Sequence, residues 1–280
     1  MLKQRLLIAI PLTLLLILII FLPGMPGKII FSAAVILALF MALYEGFTLL
    51  QCENNKPFLF LTGVYGIALI FNTMRYHNIV DIFIFENILT FLFLLAIFAI
   101  AVCHAPTQKI LKNVLTSLAL SIYICWTLSY IPKIYCLLTD GAFLLFAMIV
   151  ICKMSDIGGY FIGSITAKMP NGNHKMCKLV SPKKSWEGLI GGILFSMATT
   201  GLFYYFNFAN GIFTRNSIFV LGITIPIIGL LGDLMESVIK RCANAKDSGN
   251  IPGLGGILDI LDSIIPTAPF FFYYIMFCLR

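Results

Sequence analysis

Charged side chains concentrate in two segments of an otherwise apolar chain. Only 11% of the 280 residues are charged, yet the segment from Gly232 to Ser263 holds five acids and three bases, and it lies between two long apolar runs. An ionisable residue beside the hydrocarbon of a bilayer is costly and is therefore a candidate for function. The chemistry of this chain is predicted to lie in this segment and in a second charged segment at residues 155–187.

The first candidate group lies on one predicted helix face. Asp233, Glu236, Ser237 and Lys240 are spaced by three, one and three residues, which places them on the same side of a helix. Such a face presents carboxylates to a cation and an ammonium group to a phosphate. The alternative is an ordinary helix end, at which Glu236 and Lys240 form an exposed ion pair and extend their charged groups to the membrane surface.

A glycine-rich loop follows at residues 246–256, KDSGNIPGLGG. Its four glycines and one proline exclude a regular helix, and such a loop allows backbone N–H groups to approach a phosphate closely. The GxxxxGK[ST] pattern of nucleotide-binding P-loops is absent. Because a simple turn also uses Gly and Pro, the loop by itself is a weak indication.

Two further acids, Asp259 and Asp262, stand three residues apart just before the last apolar run. On a helix they share a face and repel each other unless a cation or a base lies between them. Hard oxygen ligands of this kind suit Mg²⁺, which retains waters and shares substrate phosphates. The alternative is that both acids stabilise the N-terminus of the following helix.

The second charged segment, residues 155–187, is basic. Lys168, Lys175, Lys178, Lys183 and Lys184 lie within 17 residues. A solvated loop on the positive side of the membrane explains part of this set, but it does not explain SPKKSWEG at the start of an apolar run. Together the two segments supply bases for phosphates and acids for a cation, which is what phosphoryl or nucleotidyl transfer needs.

The elements that position these residues are predicted to be membrane helices. The chain is 60% hydrophobic with a mean hydropathy of +0.99, and apolar runs long enough to span a bilayer recur along it. We predict an all-α polytopic integral membrane protein with about nine transmembrane helices and an uncleaved N-terminal span. The predicted spans are residues 6–24, 29–50, 58–74, 80–103, 111–131, 135–154, 188–208, 216–236 and 264–280.

The distribution of basic residues predicts the orientation. With the N-terminus in the cytoplasm, fourteen of the nineteen Lys and Arg residues lie on the cytoplasmic side, and both charged segments fall there. The chain is divided into N-terminal helices at residues 1–154, which face lipid or a dimer partner, and a catalytic region at residues 155–280. The eight cysteines are scattered without metal-ligand spacing, so zinc is not expected.

Several of these motifs resemble the phosphatidate cytidylyltransferase family, whose members are also called CDP-diacylglycerol synthases. The C-terminal part is similar to the family signature in its order of residues, and GDLMES, SPKKSWEG and Asp156-Ile-Gly-Gly-Tyr160-x-x-Gly163 also match. The resemblance covers about residues 155–263, with Glu45 as a weaker match upstream. The signature positions in this chain are Ser237, Lys240, Arg241, Lys246, Asp247, Ser248, Gly249, Pro252, Gly253, Gly255, Gly256, Asp259, Asp262 and Ser263.

Two positions depart from the commonest family pattern. Leu254 stands where His often precedes the paired glycines, and Ile260 stands where Arg often lies inside the Asp pair. Branches of the family without these two residues exist, so the departures do not indicate an inactive protein. If the protein is active, neither side chain is essential in it.

The resemblance implies the reaction of CTP with phosphatidate to give CDP-diacylglycerol and pyrophosphate, with Mg²⁺ and room for a second cation. It implies metal binding by Asp233, Asp259 and Asp262, and phosphate binding by Lys240, Arg241, Lys246 and the SPKK lysines. The implied catalytic residues are Asp233, Lys240, Arg241, Lys246, Asp247, Asp259 and Asp262. The implied substrate-binding residues are Asp156, Ser181, Lys183, Lys184, Glu187, Ser237, Gly249, Gly255 and Gly256.

The resemblance also implies a nucleotidyltransferase of phospholipid biosynthesis in a bacterial-type inner membrane. Its active site would face the cytoplasm, its partners would be membrane lipids and a second copy of the chain, and nucleic acid is not expected. Three alternatives stay open. They are another CTP-using membrane enzyme such as a polyprenol kinase, a transporter with candidate buried acids at Glu45, Asp81 and Glu86, and an inactive homologue that acts as a scaffold.

Overall fold

A computed structural model describes residues 2–50, 56–75, 78–170, 172–209, 211–249 and 255–279. Eight helices in this part of the chain are long and apolar enough to cross a membrane, and a shorter apolar stretch, Ile10–Ile20, lies within the first helix. The prediction of an all-α polytopic membrane protein is confirmed.

The helices are apolar on most of their surface, which is typical of segments surrounded by lipid or by other helices. In the N-terminal part they are α1 (Leu2–Ile20), α2 (Gly24–Leu49), α3 (Lys56–Arg75), α4 (Ile79–Val102), α5 (Gln108–Leu120), a π-helical segment (Ser121–Trp126) and α6 (Tyr130–Leu137). They are followed by α7 (Gly141–Thr166), β1 (Lys175–Cys177), β2 (Ser181–Ser185), α8 (Trp186–Tyr205), α9 (Arg215–Cys242), α10 (Ile257–Leu261) and α11 (Ile264–Cys278).

The chain forms two compact units. The first unit comprises residues Met1–Thr139 and Cys242–Ile260, and the second comprises Asp140–Arg241 and Leu261–Arg280. The division of the sequence into N-terminal helices at residues 1–154 and a catalytic region at residues 155–280 stays a prediction. In the first unit, Gly66 of α3 lies where an added Cβ would be 2.7 Å from Leu39 and 3.1 Å from the sulfur of Cys125, so the backbone of α3 packs closely against its neighbours.

Much of the basic segment that was predicted to be a loop is regular structure. Helix α7 continues to Thr166, beyond the predicted end at residue 154, and the lysine-rich part forms a two-stranded antiparallel sheet. The extension contains Ile157, Phe161 and Ile165, which are exposed on the helix surface. These side chains are too apolar for a solvated loop, so the apolar surface of the helix continues past the predicted boundary.

Glycines on α7 and α8 allow these helices to pack closely in the second unit. A Cβ at Gly158 would lie 2.6 Å from both the carbonyl oxygen of Gly191 and the Cβ of Phe195. A Cβ at Gly191 would in turn lie 2.5 Å from Ile162. Small residues let helix backbones approach in this way, and van der Waals packing then holds membrane helices together.

We expect Gly158→Ala to destabilise the protein by about 1–3 kcal/mol, because the added methyl group overpacks this crossing. The measurement is the midpoint of thermal unfolding in detergent. Gly201→Ala is the matched control, since the nearest atom to an added Cβ there is Ile218 Cδ1 at 3.9 Å. Equal midpoints for the two variants would contradict this account of the packing between α7 and α8.

Candidate active site

Three carboxylates converge in the second unit. One oxygen each from Asp233 and Glu236 of α9 and from Asp262, which precedes α11, lie within 4.8 Å of one another. Glu236 is fully buried, and both aspartates are partly exposed. Because Asp233 and Glu236 are three residues apart on one helix, the turn of α9 itself brings them together. We call these three residues the acidic cluster.

Gly232 explains how Asp262 reaches α9. A Cβ at position 232 would overlap the carbonyl oxygen of Asp262 and lie 2.5 Å from Cγ of Pro266. A glycine at this position therefore permits close contact between α9 and the start of α11. The contact places Asp262 beside the next residue of α9, which is Asp233.

Two lysines form ion pairs with members of the acidic cluster. Lys184 Nζ lies 2.5 Å from Oδ2 of Asp233, and Lys240 Nζ lies 2.7 Å from Oε2 of Glu236. Burial of the Lys184 ammonium group lowers its pKa, but the carboxylates of Asp233, Asp156 and Asp262 together outweigh this effect, so the pKa of Lys184 is raised. Lys184 therefore carries its charge at neutral and mildly alkaline pH.

The short sheet holds Lys184 in place. Strands β1 and β2 pair antiparallel, with Lys175 opposite Ser185 and Cys177 opposite Ser181. The Ser185 hydroxyl accepts a hydrogen bond of 3.1 Å from the backbone N–H of Gly188, which caps α8 directly after the strand. Lys184 thus belongs to a paired strand that leads directly into a capped helix.

Glu187 has a structural contact that the sequence did not indicate. Its carboxylate accepts from the backbone N–H of His174 at 3.1 Å and lies 2.6 Å from Nδ1 of that residue. Glu187 therefore ties the start of α8 to the segment that precedes β1. Its predicted role in substrate binding stays a prediction.

A second polar group surrounds Asp156 on α7. Lys153 Nζ lies 3.4 Å from Oδ2 of Asp156 and 3.3 Å from the Ser263 hydroxyl, and that hydroxyl lies 3.4 Å from Asp156. Ser263 directly follows Asp262 in the chain. The α7 residues named in the sequence prediction are therefore connected to the segment that carries the acidic cluster.

A cavity of about 240 Å³ opens beside these groups in the second unit. Lys183, Lys184 and Asp156 line the charged part of the cavity. The rest of the wall consists mainly of apolar side chains and of glycines, where the helix backbone itself lines the cavity. The lining residues are Ser155, Asp156, Gly159, Tyr160, Lys183, Lys184, Ser185, Gly188, Leu189, Gly192, Pro226 and Leu230. A cavity with two ammonium groups and an apolar wall suits a phosphate that is attached to a lipid.

Three other predicted residues lie close to this region. The Ser237 hydroxyl donates to Oδ1 of Asp233 at 3.5 Å, and Nε of Arg241 donates to the Val180 carbonyl at 3.4 Å. Ser181 begins β2, directly after Val180. The second unit therefore assembles the predicted residues of α7, β2, α9 and the start of α11.

The remaining predicted residues belong to the first unit. There Oδ2 of Asp259 accepts from the backbone N–H groups of Ser248 and Gly256 at 2.8 and 2.7 Å. Lys246 and Asp247 are exposed, and Gly249 and Gly255 lie within the glycine-rich segment. Gly255 has a φ of +85°, a conformation that favours glycine. Leu254 lies outside the described residues.

The donor set of the acidic cluster fits a hard divalent cation. All three groups are carboxylates, which Mg²⁺ prefers as ligands, and no thiol or imidazole belongs to the cluster. With all three carboxylates ionised, the two paired lysines leave the five groups with a formal charge of −1. The cluster contains Asp233 and Asp262 of the predicted metal ligands and adds Glu236, whereas metal binding by Asp259 stays a prediction.

Sequence reasoning missed three contributors. Glu236 was recognised on the correct helix face but was not assigned to the metal site, although its spacing from Asp233 was the available signal. Glu45 and Ser248 were not assigned a position in a site, and both are buried beside the glycine-rich segment. An acid inside an apolar span was the signal for Glu45.

Comparison with known proteins places this membrane protein in a known family. A model of the cytidylyltransferase family matches residues 3–278, and the chain belongs to this family. It is 38% identical over 142 residues to the phosphatidate cytidylyltransferase of Haemophilus influenzae, which is 50% of this chain and 48% of the relative.

Two further relatives carry the same name. The chain is 34% identical to the protein of Bacillus subtilis over 154 residues, which cover 55% of each chain. It is 44% identical to the protein of Rickettsia bellii over 111 residues, which cover 36% of this chain and 46% of the relative. The chain thus spans about half the length of the curated relatives it matches.

Proposed function

We propose that this protein is a phosphatidate cytidylyltransferase, which converts CTP and phosphatidate into CDP-diacylglycerol and pyrophosphate. The observation that carries the proposal is the acidic cluster, which is paired with Lys184 at the edge of a cavity with an apolar wall. A membrane enzyme that joins a nucleotide to a lipid phosphate needs cation ligands, a base for the phosphate and space for the acyl part. Family membership supports this choice.

In the proposed reaction, an oxygen of the lipid phosphate attacks the α-phosphorus of CTP. A new P–O bond forms, the bond between the α-phosphorus and the bridging oxygen of the β-phosphate breaks, and pyrophosphate leaves with the electron pair. No covalent enzyme intermediate is required. Lys183 and Lys184 hold the phosphate of phosphatidate at the charged part of the cavity, where Tyr160 and Leu189 contribute to the wall.

Asp233, Glu236 and Asp262 would hold Mg²⁺, which would neutralise the charge that develops around the α-phosphorus of CTP during cytidylyl transfer. Lys240 keeps the buried Glu236 paired, and Ser237 orients Asp233 by its hydrogen bond. The sequence signature further assigns Arg241, Lys246, Asp247 and Asp259 to the same reaction, and a second cation is part of the proposal. In this proposal the residues contribute to catalysis by positioning the substrates and by neutralising their charge.

We further propose that the protein lies in a bacterial inner membrane with its active site at the cytoplasmic face and acts as a homodimer. The excess of basic residues on that side and the cytoplasmic location of nucleotides support the orientation. The family resemblance supports the dimer. Nucleic acid has no place in this function.

The test is an assay of the purified protein in detergent with CTP, Mg²⁺ and one lipid acceptor at a time. Phosphatidate is expected to yield CDP-diacylglycerol and an equal amount of pyrophosphate, and a polyprenol is expected to yield no product. Product from the polyprenol alone would replace the proposal with a CTP-dependent lipid kinase. Absence of product with either acceptor, and of CTP binding, would favour a scaffold or a transporter.

A further inference from the structure

Glu45 is a buried carboxylate whose hydrogen bonds reach Ser248 of the glycine-rich segment and the start of α10, which follows that segment. It belongs to α2, some two hundred residues upstream of that segment, and only 8% of its surface is exposed. A charged group is costly to bury unless it is well hydrogen-bonded. The partners of Glu45 therefore show what the carboxylate stabilises.

Three donors surround this carboxylate. The backbone N–H of Ile257 donates to Oε1 at 2.9 Å, and that of Leu258 donates to Oε2 at 3.0 Å. These two groups belong to the first turn of α10, where backbone N–H groups have no partner within the helix. The Ser248 hydroxyl lies 2.9 Å from Oε2 at the other end of the segment.

Asp259 completes the arrangement from α10. Its Oδ2 accepts from the backbone N–H groups of Ser248 and Gly256, and it lies 2.9 Å from the same Ser248 hydroxyl. Because a hydroxyl has one proton, Ser248 donates to one carboxylate at a time and links the two. Residues 248 and 256–258 are thus fixed by two carboxylates at both ends of the glycine-rich segment.

The glycines make room for Glu45. A Cβ at Gly249 would lie 2.6 Å from Oε1 of Glu45, and a Cβ at Gly256 would overlap both Oε2 of Glu45 and the Ser248 hydroxyl. Two of the glycines that the sequence analysis assigned to substrate binding are therefore required by this buried contact. A side chain at either position would displace the carboxylate.

From these contacts we infer that Glu45 is a positioning residue that holds the two described ends of the glycine-rich segment, at Ser248 and at residues 256–258, in the arrangement that receives the triphosphate of the nucleotide. The inference rests on the proposed function for the identity of the ligand. Glu45 itself acts through Ser248 and the backbone of α10. It therefore extends the set of functional residues into the N-terminal helices.

Glu45→Gln tests the inference, because the amide keeps the size of the side chain but turns an NH₂ group toward one set of donors. We expect hydrogen–deuterium exchange to rise in peptides from residues 246–262 and to change little in α7–α9. CTP is expected to bind about tenfold or more weakly, in proportion to the loss of hydrogen bonds to a charged group. The KM for phosphatidate is expected to stay close to that of the wild type.

Glu86→Gln is the matched control in the same unit. Glu86 is also a buried acid in a helix, and it pairs at 2.7 Å with Lys133, whose side chain has no exposed surface. This variant is expected to lose stability without a localised rise in exchange at residues 246–262. Gly256→Ala displaces Glu45 without removing it and is expected to reproduce the localised exchange of Glu45→Gln.

A double-mutant cycle of Glu45→Gln with Ser248→Ala adds a second readout. We expect the effects on CTP affinity to be non-additive, because both changes disrupt one network. If Glu45→Gln showed the hydrogen–deuterium exchange and the CTP affinity of the wild type, the inference would be overturned. A rise in exchange spread over the whole protein, with no excess at residues 246–262, would also overturn it. If the wild type bound no CTP, the proposed function would fail, whereas the localised exchange would still decide whether Glu45 positions the segment.

Discussion

Asp262→Asn is expected to lower the rate of CDP-diacylglycerol formation more than about 100-fold, because it removes a proposed direct ligand of the cation. Mutation of residues that only hydrogen-bond to metal ligands already lowers metal affinity or activity about 10–100-fold. Asp262 is the member of the acidic cluster that α9 does not supply. Its loss leaves Asp233 and Glu236, each already paired with a lysine, to hold the cation. The measurement is the rate at increasing Mg²⁺ concentration, with partial recovery at high concentration.

The control for this prediction is Asp81→Asn. Asp81 is an exposed acid in the first turn of α4, and the same chemical change there is expected to leave the rate close to that of the wild type. A folded Asp262→Asn variant with wild-type activity and wild-type dependence on Mg²⁺ would show that the acidic cluster does not take part in the reaction.

Lys184→Ala is expected to reduce kcat/KM for phosphatidate by about 100-fold or more, because it removes a fixed positive charge from the proposed binding site of the phosphatidate phosphate. Lys184 pairs with Asp233 and also lines the cavity. Its pKa is raised, so the loss is expected to be similar at every pH from mildly acidic to mildly alkaline. Lys184→Arg keeps the charge on a larger group and is expected to recover part of the activity.

Lys183→Ala and Lys178→Ala are the comparisons for Lys184. Lys183 lines the same cavity but is exposed, and Lys178 is an exposed lysine between the two strands. We expect a moderate loss for Lys183→Ala and almost none for Lys178→Ala. Equal losses in all three variants would indicate that the lysines act only through the overall positive charge of this segment.

The sequence was sufficient to predict the membrane fold and most of the acidic cluster. Runs of apolar residues of the length of a bilayer have few alternatives to a spanning helix, and the spacing of Asp233 and Glu236 determines that they share a face. The lysine-rich sheet was not predictable in the same way. Its strands are only three and five residues long, and the contact beside them joins Glu187 to His174, which are 13 residues apart in sequence.

The role of Glu45 illustrates why the remainder was not predictable. Its hydrogen-bond partners at Ser248, Ile257 and Leu258 are more than two hundred residues away in sequence. Nothing in the local pattern of α2 distinguishes this contact from the buried ion pair of Glu86. Both are single acids in apolar helices, and only the tertiary structure separates an acid that fixes a loop from one that pairs with Lys133.

The most direct test of the proposed function is to follow position-specific label from CTP into lipid. Purified protein is incubated with phosphatidate, Mg²⁺ and CTP that carries ³²P at either the α- or the γ-phosphate. Cytidylyl transfer predicts that the α-label enters CDP-diacylglycerol and that the γ-label is released in pyrophosphate. Appearance of the γ-label in lipid, with none from the α-position, would show phosphoryl transfer and contradict the account.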